Sequence, residues 1–497
     1  MQLGSAVSHW WSTALVVVGV GATGFGAAVL SGVDADFSQP LATVLAGTGV
    51  LTAGILTYLN GQRTRDQAEE HHNEEMVRER ERHAHDTERA REAALWERFG
   101  SAAAQLADKS AAIRIAGVYA MAGVADERSG ANRQQCIDVL CGYLRLPYDP
   151  EQGRSGRTKL VTKTSGTDGA EQEEHTEYRQ NDREVRATII RVITDHLRPT
   201  AENSWSTNDF DFRTAHLEDV DFSMVEFAGT ARFNHATFTG LTRFDYATFS
   251  DTAWFGGATF SDTAWFNDAT FSDTAGFNDA TFSGTAWFGG ATFSSTARFG
   301  GATFTGPARF VSATFTGPAR FGDATFSSIA EFGGATFSDN ALFGGATFSN
   351  TVWFNDATFS DSAEFKRATF SGPAGFGDAN FSGTAEFWRA TFSDTAFFGE
   401  ATFSGTAGFG GATFSGTAQF GGATFSGTAR FGGASFVGET SFASVSFGRE
   451  IVSFVGPERW GLPAPVFDWD QDISQKPANV EPQDWPPTVA TPPPSTV

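Results

Sequence analysis

Cysteine is close to absent: the 497 residues hold two, Cys136 and Cys141. They lie five apart in a helical-looking segment, so a disulfide framework is excluded and both read as small core residues in a reducing compartment. Basic residues are also in short supply. Thirty-five Lys and Arg stand against 58 Asp and Glu, a formal net charge of −23. That balance argues against direct nucleic-acid binding, since a phosphate backbone calls for a basic face. The patterns of catalysis are missing too. The repetitive C-terminal half has no nucleophile–base pair, no carboxylate dyad, no metal-ligand spacing and no phosphate loop. Nothing there points to a catalytic residue, a metal or a cofactor, so the chain is not expected to be an enzyme. No Lys or Arg precedes the first apolar run, which speaks against a cleaved signal peptide.

What is present begins with two uncharged apolar runs, residues 10–30 and 41–59. Each is about 20 residues, enough to span the ~30 Å hydrocarbon core as a helix. The link between them has acidic residues and no basic ones, and Arg63 and Arg65 follow the second run. By the positive-inside rule the link faces outward and both chain ends stay in the cytoplasm, making a multi-pass protein of the cell membrane. Gly24 with Ala28, and Gly49 with Ala53, would let the two helices approach closely. Gly19-Val20-Gly21-Ala22-Thr23-Gly24 spells a dinucleotide fingerprint, but Asp34 and Asp36 come too early and no alternating strands and helices follow.

Residues 61–98 are dense in Glu, Arg and His and read as a solvated stalk helix, with pairs such as Glu74–Arg78 and Glu88–Arg91 at helical spacing. No heptad is sustained, which argues against a coiled coil. His71, His72, His83 and His85 lack partner ligands at a compact spacing and belong to that solvated face. Residues 99–199 form a small helical, HEAT-like domain, with a polar stretch at 147–181 expected to be a mobile loop.

From about Phe222 to Phe447 the chain repeats. Ala-Thr-Phe returns every eleven residues, at Ala258-Thr259-Phe260 and again at Ala269-Thr270-Phe271. A second unit lies between, as in Ala264-Trp265-Phe266. Spacing between Phe residues alternates six and five. Ala and Phe point inward and their neighbours outward, with Gly, Asn, Asp, Ser and Pro at corners, which describes a β-solenoid of short strands.

Ala two residues before Phe, every five or six residues, resembles the pentapeptide-repeat family in the Phe-rich form common in actinobacterial proteins. The resemblance implies a right-handed quadrilateral β-helix with Ala and Phe inside. An extra residue in every second unit, such as Thr263 or Thr274, departs from the family's five-residue side and implies 22 residues per coil. An 11-residue, two-sided coil is rejected, because two Phe rings would have to face each other in one thin layer. The expected architecture is therefore α+β and multidomain. Its parts are a transmembrane helical hairpin (1–60), the stalk helix (61–98), the helical domain (99–199), and a β-helix (200–450) of about ten coils, roughly 50 Å long. A cap (451–473) and a disordered Pro-rich tail (474–497) complete it.

Residues 22 apart stack on the outside. Trp265, Trp287, Trp353 and Phe397 then share one outward column, and Trp254 lies in another; these five are the candidate protein-contact surface. The plainer reading is that such rings only cover strand backbone. Asp251, Asp273, Asp339 and Asp361 share a further column, and residues 200–450 carry 25 acidic and 11 basic side chains. Ranks of Thr and Ser on the faces would suit ice binding, but a cytoplasmic position does not. The expected function is a membrane-anchored, non-catalytic scaffold presenting a rigid acidic rod to an unknown protein partner. One alternative is a DNA mimic acting on DNA gyrase, as the resemblance implies for some relatives. Another is an enzyme or ligand-binding activity in the helical domain.

Overall fold

The computed structural model describes residues 38–150, 159–165, 171–177 and 181–490. The first apolar run (10–30), most of the link after it, part of the 147–181 stretch and residues 491–497 lie outside the described residues. The chain divides into two units, Met1–Ala93 and Ala94–Val497.

In the first unit the described residues are helical, part of α1, Ser38–Leu106. The Glu74–Arg78 pair forms at 3.1 Å. Val50, Leu51, Ile55, Leu56 and Leu59 are exposed along this helix. No helix among the described residues is long and apolar enough to cross a membrane.

The second unit joins what the sequence separates into a helical domain and a β-helix. Helices α2 (Ala111–Asp126), α3 (Gly130–Leu144) and α4 (Asp182–Leu197) pack on one another and, through α3 and α4, on the first coil. The amphipathic face of α4 buries Val185, Ile189, Ile193 and Leu197 in a core continuous with the solenoid. Specific bonds seal the joint. Trp205 is fully buried and donates its indole N–H to Asp126 at 2.9 Å, while its ring stacks on His196 at 4.0 Å. Gln134 bonds the Asp209 backbone, and Arg145 pairs with Asp211. These helices close the N-terminal edge of the solenoid, the edge that would otherwise offer unpaired strand groups. Within the expected loop, strands β1 (Lys159–Ser165) and β2 (Glu171–Glu177) pair antiparallel. The β-branched Val161, Thr162 and Thr164 suit a strand, although the charge and glycine around them read as a loop.

The solenoid is right-handed with about 11 turns and 22 residues per coil, as the parallel register Thr259↔Thr281 and Ala264↔Ala286 shows. His216–Asp221 and Thr237–Arg243 each run across the corner between two faces; from Thr248 to Ser441 each coil has four two-residue strands. Thr259–Phe260 stands for the first face, Ala264–Trp265 for the second, Thr270–Phe271 for the third and Ala275–Gly276 for the fourth. The fourth-face ladder is 13-stranded, running from Phe210–Asp211 to Val480–Glu481. Main-chain bonds link coil to coil on every face, such as Phe266 N–H to the Trp287 carbonyl at 2.7 Å.

Inside, Ala and Phe are buried throughout. Phe rings form four columns, with Phe266 stacked on Phe288 at 4.8 Å and 4°. Two columns also meet edge to face across the core, Phe266 touching Phe255 and Phe277 at 5.6 Å each and nearly perpendicular. Each ring therefore meets stacked and T-shaped partners at once, both geometries that aromatic quadrupoles favour.

Corners come in two kinds. Three-residue corners such as Ser261-Asp262-Thr263 hold the extra residue. Two-residue corners place their second residue in the left-handed region, at Asp268 (φ 52°), Asp279 (56°) and Gly290 (67°). That position explains the Gly and Asp there, since a Cβ at positive φ is strained except where a short polar side chain helps.

The C-terminal end is longer than expected. Val480–Glu481 pairs with Val452–Ser453, and Trp485 packs against Phe454, Trp460, Phe467 and Trp469. Ordered structure thus continues through residues 474–490, where the proline content reads as disorder. Val480, fully buried, and the single aromatic ring there, Trp485, supply the burial that a disordered tail lacks.

Candidate functional site: the outward columns of the solenoid

The second face carries Arg243, Trp265, Trp287, Arg309, Glu331, Trp353, Gly375 and Phe397 in one outward ladder, each in register with the next. Four of the five candidate residues therefore stand together, and Trp254 is on the fourth face. The column is cross-braced. The Arg243 guanidinium lies 5.6 Å from the Trp265 ring, that of Arg309 lies 4.5 Å from Trp287, and Arg309 pairs with Glu331 at 3.3 Å. Trp265 and Trp287 are half-buried, whereas Trp353 and Phe397 keep 39% and 37% of their surface exposed.

Glycine seats several of these rings. A Cβ at Gly276 would lie 2.6 Å from Trp254, and one at Gly375 2.3 Å from Trp353. Phe397 leans over Gly377 and Gly399 in the same way. Covering of backbone thus accounts for Trp254 and part of Trp353. The rest of the Trp353 and Phe397 ring area stays exposed.

The acidic column has a local explanation. Asp251 accepts from the Thr252 backbone N–H, Asp273 from Thr274 and Asp339 from Asn340, all at 2.6 Å, and Asp361 accepts from Ser362 at 2.9 Å. These carboxylates shape their own corners, as short polar side chains do in turns. Asp245 differs. Burial pushes its carboxyl above the ordinary range, against the pull of hydrogen bonds from Asn267.

A cavity of about 220 Å³ lies where α4 meets the first coil, lined by Tyr148, Arg183, Arg186, His216, Glu218 and Asp219 among others. Its charges are engaged with one another. Arg186 pairs with Asp182 at 2.9 Å, donates to the Leu144 and Leu146 carbonyls, and lies over the Tyr148 ring at 4.3 Å. Tyr148 donates to Glu218, and Arg183 pairs with Asp219 at 2.6 Å. Burial first, then the Glu218 bond and charge, pushes the Tyr148 phenol well up. Burial likewise pushes the Cys141 thiol up to about 12, which leaves it without thiolate character. This polar set fastens the helices to the solenoid. Among the described residues no group of His, Cys, Asp and Glu is placed to hold a metal ion.

One cluster escaped the sequence reading. The corners after Phe365 and Phe387 hold Lys366-Arg367 and Trp388-Arg389, and Trp388 is 41% exposed with the Arg389 guanidinium 4.4 Å from its ring. Glu364-Phe365-Lys366-Arg367 and Glu386-Phe387-Trp388-Arg389 lie 22 apart, and that spacing was the signal that could have found it.

Comparison with known proteins agrees with this geometry. No curated protein and no solved structure matches the chain. A family model described as pentapeptide repeats matches in nine copies between residues 225 and 446. With four short sides per coil, Ala and Phe inside and turn residues at the corners, this stretch of the chain is a β-solenoid similar to pentapeptide repeats.

Proposed function

We propose that the chain is a non-catalytic scaffold, tethered to a membrane, whose solenoid offers its second face to a protein partner in the cytoplasm. The supporting observation is the register of Arg243, Trp265, Trp287, Arg309, Glu331, Trp353 and Phe397 on one ladder. A flat strip that mixes aromatic rings and guanidinium groups is the composition that protein interfaces favour at their anchors. The stacked Phe core beneath it fixes the spacing, so little ordering entropy is lost on binding. The test compares proteins captured by the parent with those captured by a Trp265→Ala/Trp287→Ala/Phe397→Ala variant. Loss of particular partners supports the strip; identical sets remove it from consideration.

The tether rests on the two uncharged runs at 10–30 and 41–59 and the arginines that follow. Retention in the membrane pellet after alkaline carbonate washing is the expected outcome, and release into the supernatant would count against it. A second reading, mimicry of DNA toward gyrase, draws on the excess of acidic over basic side chains in residues 200–450. Supercoiling by gyrase, unchanged by added protein, would dismiss it.

A further inference from the structure

The corner that follows the fourth face holds Arg213 in the first coil and then no Lys or Arg from Asn234-His235 through Asn278-Asp279 to Gly344-Gly345. It reads Gly300-Gly301, Gly322-Asp323 and Gly344-Gly345, and then Gly410-Gly411 and Gly432-Gly433. Two adjacent coils break the pattern with Lys366-Arg367 and Trp388-Arg389. Arg367 and Arg389 occupy the left-handed position at φ 60° and 54°, where their neighbours at 345 and 411 are glycine. Turn chemistry alone favours glycine at both places. The side chains are therefore kept against local preference, and what they add is charge and an aromatic surface.

We infer that Lys366, Arg367, Trp388 and Arg389 form a second docking site, separate from the second face, for a short acidic, aromatic-containing segment of a partner protein. Three cations gather within two coils of a stretch that is otherwise strongly acidic. Arg389 lies against one side of the Trp388 ring, and that indole remains 41% exposed for a second flat group. Glu364 holds Lys366 at 3.3 Å, and Glu386 lies one coil on in register with Glu364. Those carboxylates, and the acidic surface beyond, repel a long polyanion or an anionic membrane. A segment a few residues long can match the patch without reaching them.

The test measures binding of a fluorescein-labelled peptide of alternating glutamate and tyrosine to the full chain by anisotropy. The expected result is salt-sensitive binding, weakened about tenfold or more in an Arg367→Gly/Arg389→Gly variant. That variant restores the residue its corners favour, so its thermal midpoint is expected to equal or exceed the parent's and the loss is not one of folding. Trp388→Ala weakens binding as well, and Trp353→Ala leaves it unchanged. The inference is overturned by no binding to the parent, by equal binding to the double-glycine variant, or by tighter binding to phosphatidylserine vesicles or to a DNA duplex than to the peptide.

Discussion

The indole of Trp254 occupies the space that a side chain at Gly276, its neighbour one coil on, would need: a Cβ there would lie 2.6 Å from the ring. Gly276→Ala is expected to destabilise the solenoid by about 1–3 kcal/mol by pushing the ring off its seat. In a Trp254→Ala background the same change should cost close to nothing, because its only close neighbour is gone. A double-mutant cycle by urea denaturation checks this, and equal costs in both backgrounds would refute the pairing.

Phe288 stacks on Phe266 and Phe310 at 4.8 and 4.7 Å and meets Phe277 and Phe299 edge to face at 5.5 Å. Phe288→Ala is expected to cost about 3–5 kcal/mol. In a stack of coils the loss is local, so amide exchange should accelerate in the coils around residue 288 and stay slow near the ends.

Thr214 is a β-branched residue held at φ 61°. Thr214→Gly should raise stability by about 1 kcal/mol, since the left-handed conformation is strained for threonine and open to glycine. A lower denaturation midpoint in the variant would show that its hydroxyl, which donates to the Arg213 carbonyl at 2.6 Å, matters more than the strain.

Burial holds the His216 imidazole below the ordinary histidine range. Glu218 pulls it back up, Arg186 adds to the depression, and Asp149 opposes it. The unfolded chain therefore takes up the proton more readily than the folded one. This contribution to stability is complete above about pH 6.5, the unfolded value, and is lost as pH falls through the folded one. The thermal midpoint should drop between pH 7.5 and 5.5, and drop less in His216→Gln.

Residues 474–490 carry Val480 and Trp485 into the C-terminal aromatic cluster. Truncation after residue 473 should expose that cluster and the last strand edge. The expected sign is concentration-dependent aggregation on size-exclusion chromatography, where the parent elutes unchanged.

The coil was legible from the chain alone, because burial of Phe every five or six residues leaves few ways to close a turn. Trp265, Trp287, Trp353 and Phe397 fell into one column for the same reason. The acidic column was legible as a position and misleading as a surface, since Asp273 and its equivalents bond their own corner amides. The Trp388 corner was not legible, because corner side chains point to solvent and follow no periodicity of burial. The joint around Asp182 and Arg186 depends on contacts between residues about 40 apart, which no periodicity announces.

The coil consists of two 11-residue halves with nearly the same interior. Gain or loss of 22 residues lengthens or shortens the stack and leaves every exterior column aligned. A change of 11 residues keeps every Phe buried too, but turns all that follows by half a circuit, moving second-face residues to the fourth face. The core is blind to that difference and the exterior is not. Duplication in this gene thus has two distinct effects, one that extends an existing binding strip and one that splits it across opposite sides without any cost in packing.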